Sequence, residues 1–147
     1  MMKRFFFSII ASLGFICDEI LTFEYVCDYS ELGPRFYGFP FIQETNSSWG
    51  FSMSGDIYIL GFIWNFIFWA LLFFGVTLFF KNLKNRFLNI LIKIVGWSVV
   101  TWSVFVVSLY FGAIDWRLEF THDNFKMNYY EHDIKCDRSF IFSKYNK

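Results

Sequence analysis

Residues 57–80 read IYILGFIWNFIFWALLFFGVTLFF, 24 positions without a charged side chain. A helix rises about 1.5 Å per residue, so a run of this length crosses a hydrocarbon core of about 30 Å with some tilt. Apolar residues cover every face of it, unlike the one-sided pattern of a helix on a soluble core. A second uncharged run, IVGWSVVTWSVFVVSLYFGAI, fills residues 94–114. Its Val, Trp and Ser content favours strand by propensity. Length and continuity favour a helix, because a spanning strand needs only about 9–11 residues and a closed barrel around it. Asn65 is the most polar side chain in the first of these runs, and Ser98, Thr101, Ser103 and Ser108 lie in the second. Such groups are expected to support helix packing, at about 0.6 kcal/mol per interhelical bond.

Between the runs, residues 81–93 read KNLKNRFLNILIK, with Lys81, Lys84, Arg86 and Lys93 and no acid. Phe87, Leu88, Leu91 and Ile92 recur at helical spacing, which predicts a short amphipathic segment on the membrane surface, continuous with the following span. Near the start, Lys3 and Arg4 precede FFFSIIASLGFIC at residues 5–17, and Asp18 and Glu19 then interrupt the apolar run. A basic start and a short apolar run are compatible with a secretory signal peptide. The other reading is an uncleaved anchor over residues 5–23, with the acids at the interface. Ser12 and Gly14 have cleavage-site spacing but leave too short an apolar run before them, so the anchor is preferred. The expected fold is an all-α membrane protein of three transmembrane helices, or two if the first is cleaved. Loop 24–56 and tail 115–147 would form a small extracytoplasmic cap. Within that tail, residues 116–121 and 138–143 have strand-like composition.

Charge sets the expected orientation. Net charge is zero, yet residues 18–57 hold seven acids against the single base Arg35, while residues 81–93 hold four bases. Lys and Arg in short loops mark the cytoplasmic side. The N-terminus and the 81–93 segment are therefore expected inside, and the 24–56 loop and the tail outside. Hydrophobic residues make up 56% of the chain and charged residues 18%, against about 45–50% and about 25% in soluble domains. No segment is both basic and aromatic in the manner of a nucleic-acid surface, so nucleic acid is not an expected partner.

Candidate chemistry is sparse. The outer loop contains GPRFYGFPF at residues 33–41, where Phe36, Tyr37, Gly38, Phe39, Pro40 and Phe41 form an aromatic cluster beside two spans. It reads as an interaction loop, or as a segment folded against the headgroup zone, where aromatics are favoured. Residues 35–69, with YGFPF and then SWGFSMSGDIYILGFIWNFIFW, resemble a group of small bacterial membrane proteins that carry a Tyr-Gly-Phe-Pro element in an outer loop before a spanning helix. The resemblance implies a bacterial inner-membrane location and no activity.

Cys27 and Cys136 fall on the same expected outer side, where an oxidising compartment permits a disulfide; two free thiols is the alternative. Cys17 is expected to be buried and inert. His132, Asp133 and Cys136 form H-D-x-x-C, with His122-Asp123 upstream. His and Cys four apart can share a zinc ion on a helix, but the spacing fits no standard site and a solvated tail explains it better. No catalytic residue, metal or cofactor is expected. The spans hold no deep ionisable residue of the kind that marks an ion pathway. The expected function is a non-enzymatic interaction or accessory subunit, acting on a membrane-protein partner or a second copy through its outer loop and tail. An oligomeric transporter or channel subunit, or a membrane enzyme with its site in the cap, are the alternatives.

Overall fold

Helix α1 (Met2–Cys17) ends where Asp18 and Glu19 interrupt the apolar run. The Asp18 N–H still bonds the Gly14 carbonyl at 3.0 Å, and Glu19 then turns left-handed at φ 48°. That is the usual conformation just past a helix end, normally taken by Gly or Asn. The chain continues as β1 (Leu21–Cys27), β2 (Arg35–Gly38), β3 (Glu44–Asn46) and β4 (Ser54–Tyr58). β4 runs without a break into α2 (Ile59–Phe79), which is followed by α3 (Arg86–Ala113), β5 (Asp115–Glu119) and β6 (Cys136–Phe142). This computed structural model describes residues 2–27, 35–46, 54–80, 86–121 and 136–142.

The strands form one six-stranded sheet in the order β5-β4-β3-β2-β1-β6. Among the described strands only β4 and β5 pair in parallel, and the α2–α3 pair between them supplies the long crossover that parallel neighbours need. The expected all-α fold is overturned by this mixed sheet, and the described parts of the 24–56 and 115–147 segments are mostly strand. Residues 21–23, read as completing the first span, belong to β1, and Ile57 and Tyr58 belong to β4 rather than to the second span. The physical reason is that the strands are short and carry polar residues inward. Thr22, Glu24, Glu44 and Thr45 are all buried, so the alternation of apolar and polar residues that marks a half-buried strand is scrambled.

α2 and α3 are each long and apolar enough to cross a membrane. Their outward residues are bare: Phe79 is 83% exposed, Trp97 73% and Phe87 72%. Apolar surface on this scale demands a non-aqueous neighbour, which supports a membrane location. α3 begins at Arg86, so the described part of the basic segment is its first two turns. α1 is only 16 residues, about 24 Å as a helix and shorter than a bilayer core. It packs against both α2 and α3. Ser8, Ala11 and Ser12 face inward, none more than 1% exposed. Small residues of this kind let helix backbones approach closely. At Gly14 the approach is closest: a Cβ there would stand 2.3 Å from Ser103 Oγ of α3.

Gly14→Ala is therefore expected to push α1 from α3 and to lower stability by about 1–3 kcal/mol, the usual cost of overpacking. Gly75→Ala, where an added Cβ meets nothing within 4 Å, is expected to be neutral or stabilising through helix propensity. Ser103 Oγ is buried without a hydrogen-bond partner among the described residues. Ser103→Ala should therefore cost little, because it removes an unsatisfied hydroxyl. Denaturation midpoints of the three variants in one detergent check this ordering.

Candidate functional site: a buried polar junction between helices and sheet

The C-terminal ends of α1 and α3 and the N-terminal end of α2 all deliver the chain into the same sheet. The sheet backbone and the helix ends meet where little water can enter, so polar backbone groups there need protein partners. The stretch from Phe39 to Gln43 leaves β2 through a cis Phe39-Pro40 bond and passes over α2. Gly61 of α2 makes room for it: a Cβ at Gly61 would lie 1.8 Å from the Ile42 carbonyl oxygen.

Asn65, fully buried on α2, holds this stretch. Its Nδ2 donates to the Phe41 carbonyl at 2.7 Å and to Gln43 Oε1 at 2.8 Å, while its Oδ1 accepts the Phe41 N–H at 2.9 Å. Gln43 passes the connection on, donating through Nε2 to the Ile16 carbonyl at the end of α1, 3.2 Å away. Its own backbone bonds Tyr37 and Tyr58, both at 2.8 Å. One turn further along α2, Trp69 Nε1 donates to the Phe39 carbonyl at 3.1 Å.

Glu44, one residue on and 1% exposed, accepts a short hydrogen bond from Tyr110 Oη of α3. The Tyr110 ring stacks on Trp116 at 4.5 Å, and Trp116 Nε1 donates to the Tyr110 carbonyl at 2.6 Å. Gly55 of β4 lies opposite Trp116 of β5, and a Cβ there would come within 2.6 Å of the indole. Cys17 is buried beside Ile57 and Tyr110 and is a free thiol. Glu19 is also buried. Outside the helices, Asp56 faces Arg117 across the β4–β5 pair. Burial holds its carboxyl above the ordinary range, with Arg117 opposing the rise and Glu119 adding to it. Glu19, Thr22, Gln43 and Gly38 line a cavity of about 10 Å³, room for about one water molecule.

The aromatic loop is turned mostly inward. Phe36, Tyr37 and Gly38 are buried in β2, Phe39 packs against Phe23 and Trp69, and Pro40 is half-buried. Phe41, 49% exposed and beside Trp64, is the member that presents a surface. Of the proposed helix-packing residues, Asn65 bonds the strand connection rather than another helix. Ser98 and Thr101 are on exposed turns of α3, with hydroxyls bonded to the Ile94 and Trp97 carbonyls of their own helix. Cys27 and Cys136 are register partners of β1 and β6. His122, Asp123, His132 and Asp133 lie outside the described residues. Among the described residues no group of three or more His, Cys, Asp or Glu converges as a metal site.

Gln43, Glu44 and Tyr110 carry the junction and were not singled out from sequence. In the sequence Glu44 is one of the seven acids of residues 18–57, and Tyr110 is one aromatic residue of an uncharged run. The available signal was an acid and an amide side by side between two strand-like segments. No family model, curated protein or solved structure matches the chain.

Asn65→Leu should leave the part-buried Phe41 N–H and carbonyl and the buried Gln43 side-chain oxygen without this partner, at a total cost of about 1–3 kcal/mol. Ser98→Ala and Thr101→Ala should change stability by less than about 0.5 kcal/mol. Tyr110→Phe should destabilise more than Glu44→Gln, which keeps an acceptor for the phenol. Unfolding in detergent, with the double variant closing a mutant cycle, measures the coupling.

Proposed function

We propose that this protein is a non-enzymatic interaction or accessory subunit of a bacterial cell membrane, with its sheet as an extracytoplasmic platform. The observation that carries the reading is the common end of the helices. Because α1, α2 and α3 all meet one sheet, the start of α1, the end of α2 and the start of α3 belong at the opposite end. Lys3, Arg4, Arg86 and Lys93 lie toward that end, and in the sequence Lys81 and Lys84 fall between α2 and α3, while the segments before α2 carry the excess of acid. The positive-inside tendency then sets the sheet outside. In this reading α1 is retained rather than removed as a signal peptide. Its loss would strip Phe15 from Trp69, at 4.2 Å between rings, and the Ile16 carbonyl from Gln43.

The interaction role is supported by how the polar groups are used. Asn65, Gln43, Glu44, Tyr110, Trp69 and Trp116 are committed to bonds that join helices to sheet. Among the described residues, β5 and β6 are the two edge strands of the sheet. β5 leads to exposed Leu118 and Phe120, and β6 to exposed Phe140 and Phe142. An open edge with apolar side chains is a template for a further strand or a partner surface. The partner is a second membrane protein or another copy of this chain.

Photo-crosslinking residues placed at Leu118 and Phe142 in cells are expected to give discrete protein adducts, with a lipid-facing position such as Phe105 as the comparison. Lipid adducts alone at both edge positions contradict the role. The mass of the protein extracted from membranes is expected to include α1; a chain beginning beyond Cys17 contradicts the three-helix arrangement.

A further inference from the structure

We propose that Cys27 and Cys136 form a cross-strand disulfide that fastens the edge strand β6 to the sheet. The inference rests on the outward placement of the sheet argued above, because a cytoplasmic sheet would keep both thiols reduced.

The register of the β1–β6 pair carries it. The ladder runs from Leu21 opposite Phe142 to Cys27 opposite Cys136, antiparallel and without a bulge over seven pairs. Directly opposed residues in an antiparallel pair have Cα atoms about 4.5–5.5 Å apart. A disulfide needs about 4.4–6.8 Å. A slip of one residue would turn β6 over and separate the cysteines. Side chains further along the ladder oppose such a slip. Phe23 meets Phe140 with ring centroids 5.5 Å apart, and the Arg138 guanidinium sits 4.6 Å above the Phe23 ring. The cysteines are the last pair of the ladder.

The consequence is specific to β6. It is an edge strand whose one neighbour in the sheet is β1, and it is joined to β5 through residues 120–135. A bond at Cys27–Cys136 fixes the far end of that connection to a strand continuous with α1. Formation is a two-step exchange with a protein dithiol–disulfide oxidant of the outer compartment. One cysteine thiolate attacks a donor sulfur, forming a mixed disulfide and releasing the donor's other sulfur as a thiolate. The second cysteine thiolate attacks the mixed disulfide at the first cysteine's sulfur, and the donor leaves as a dithiol. The two electrons pass to the donor, and the protons lost by the cysteines balance those taken up by its thiolates.

The test is cysteine labelling on intact cells with a membrane-impermeant maleimide, before and after an impermeant phosphine reductant. Labelling of Cys27 and Cys136 is expected only after reduction. Full-length protein denatured without reductant should then take up one label, at Cys17, and after reduction three, matching its three cysteines. Cys27→Ser should release Cys136 to label without reductant, and Cys136→Ser should release Cys27. Uptake of three labels by the denatured, unreduced wild-type chain overturns the bond whatever the variants do. If both cysteines label from outside without reduction, the disulfide fails and the outward sheet stands. If they label only after the membrane is opened, the outward placement fails and the disulfide with it.

Discussion

Asn65 resolves a problem set by the path of the chain. The connection from β2 to β3 passes over the N-terminal half of α2, and its backbone donors and acceptors cannot all be satisfied by the sheet ladder. A buried amide with donors on one side and an acceptor on the other fits this need, because it can pair with both the N–H and the carbonyl of Phe41. Asn65 also holds Gln43, which reaches the end of α1. With Gln43 fixed, Glu44 follows at the head of β3 and meets Tyr110 of α3. One side chain on α2 thus begins a chain of contacts that touches all three helices. A hydrophobic residue of the same size would leave the strand connection without these partners.

The same geometry explains why α1 can be short and yet central. It has two apolar helices to lean on, so its own length need not match a bilayer. Its inward face is built of Ser8, Ala11, Ser12 and Gly14, which permit close backbone approach. The close approach brings the Ile16 carbonyl within reach of Gln43 and places Cys17 beside Tyr110. Small residues and polar bonds are cooperative here: the first sets the distance at which the second can form. The hydroxyls of Ser98 and Thr101, bonded within α3, take no part.

The two long helices were legible because their signal is composition over many residues, and nothing local competes with it. The sheet was not. Its strands are three to seven residues long, and their buried positions include Thr22, Glu24, Glu44 and Thr45 rather than a clean apolar alternation. TFEYV in β1 and the segments within β5 and β6 carried aromatic and β-branched composition, but pairing between distant segments leaves no mark in any one of them. Asn65 was visible as the polar residue of an apolar run; its partner was not, since a helix and a strand connection give the same sequence signal. The aromatic element at residues 36–41 was visible as a cluster, but its inward direction depends on the sheet register. Charge alone puts Cys27 and Cys136 on one side; that they stand opposite one another in the ladder comes from the register.

The sheet is fastened to the helices by side-chain bonds to backbone. The most direct test of that claim is residue-resolved amide hydrogen exchange of the protein in bicelles, read at Phe41, Gln43 and Tyr58. All three amides are bonded across elements, to Asn65, Tyr37 and Gln43 respectively. The account predicts that they exchange as slowly as amides in the middle of α2, although two of them lie between regular elements. Exchange at the rate of an open loop, with α2 still protected, would show that sheet and helices are not joined at this junction and would contradict it.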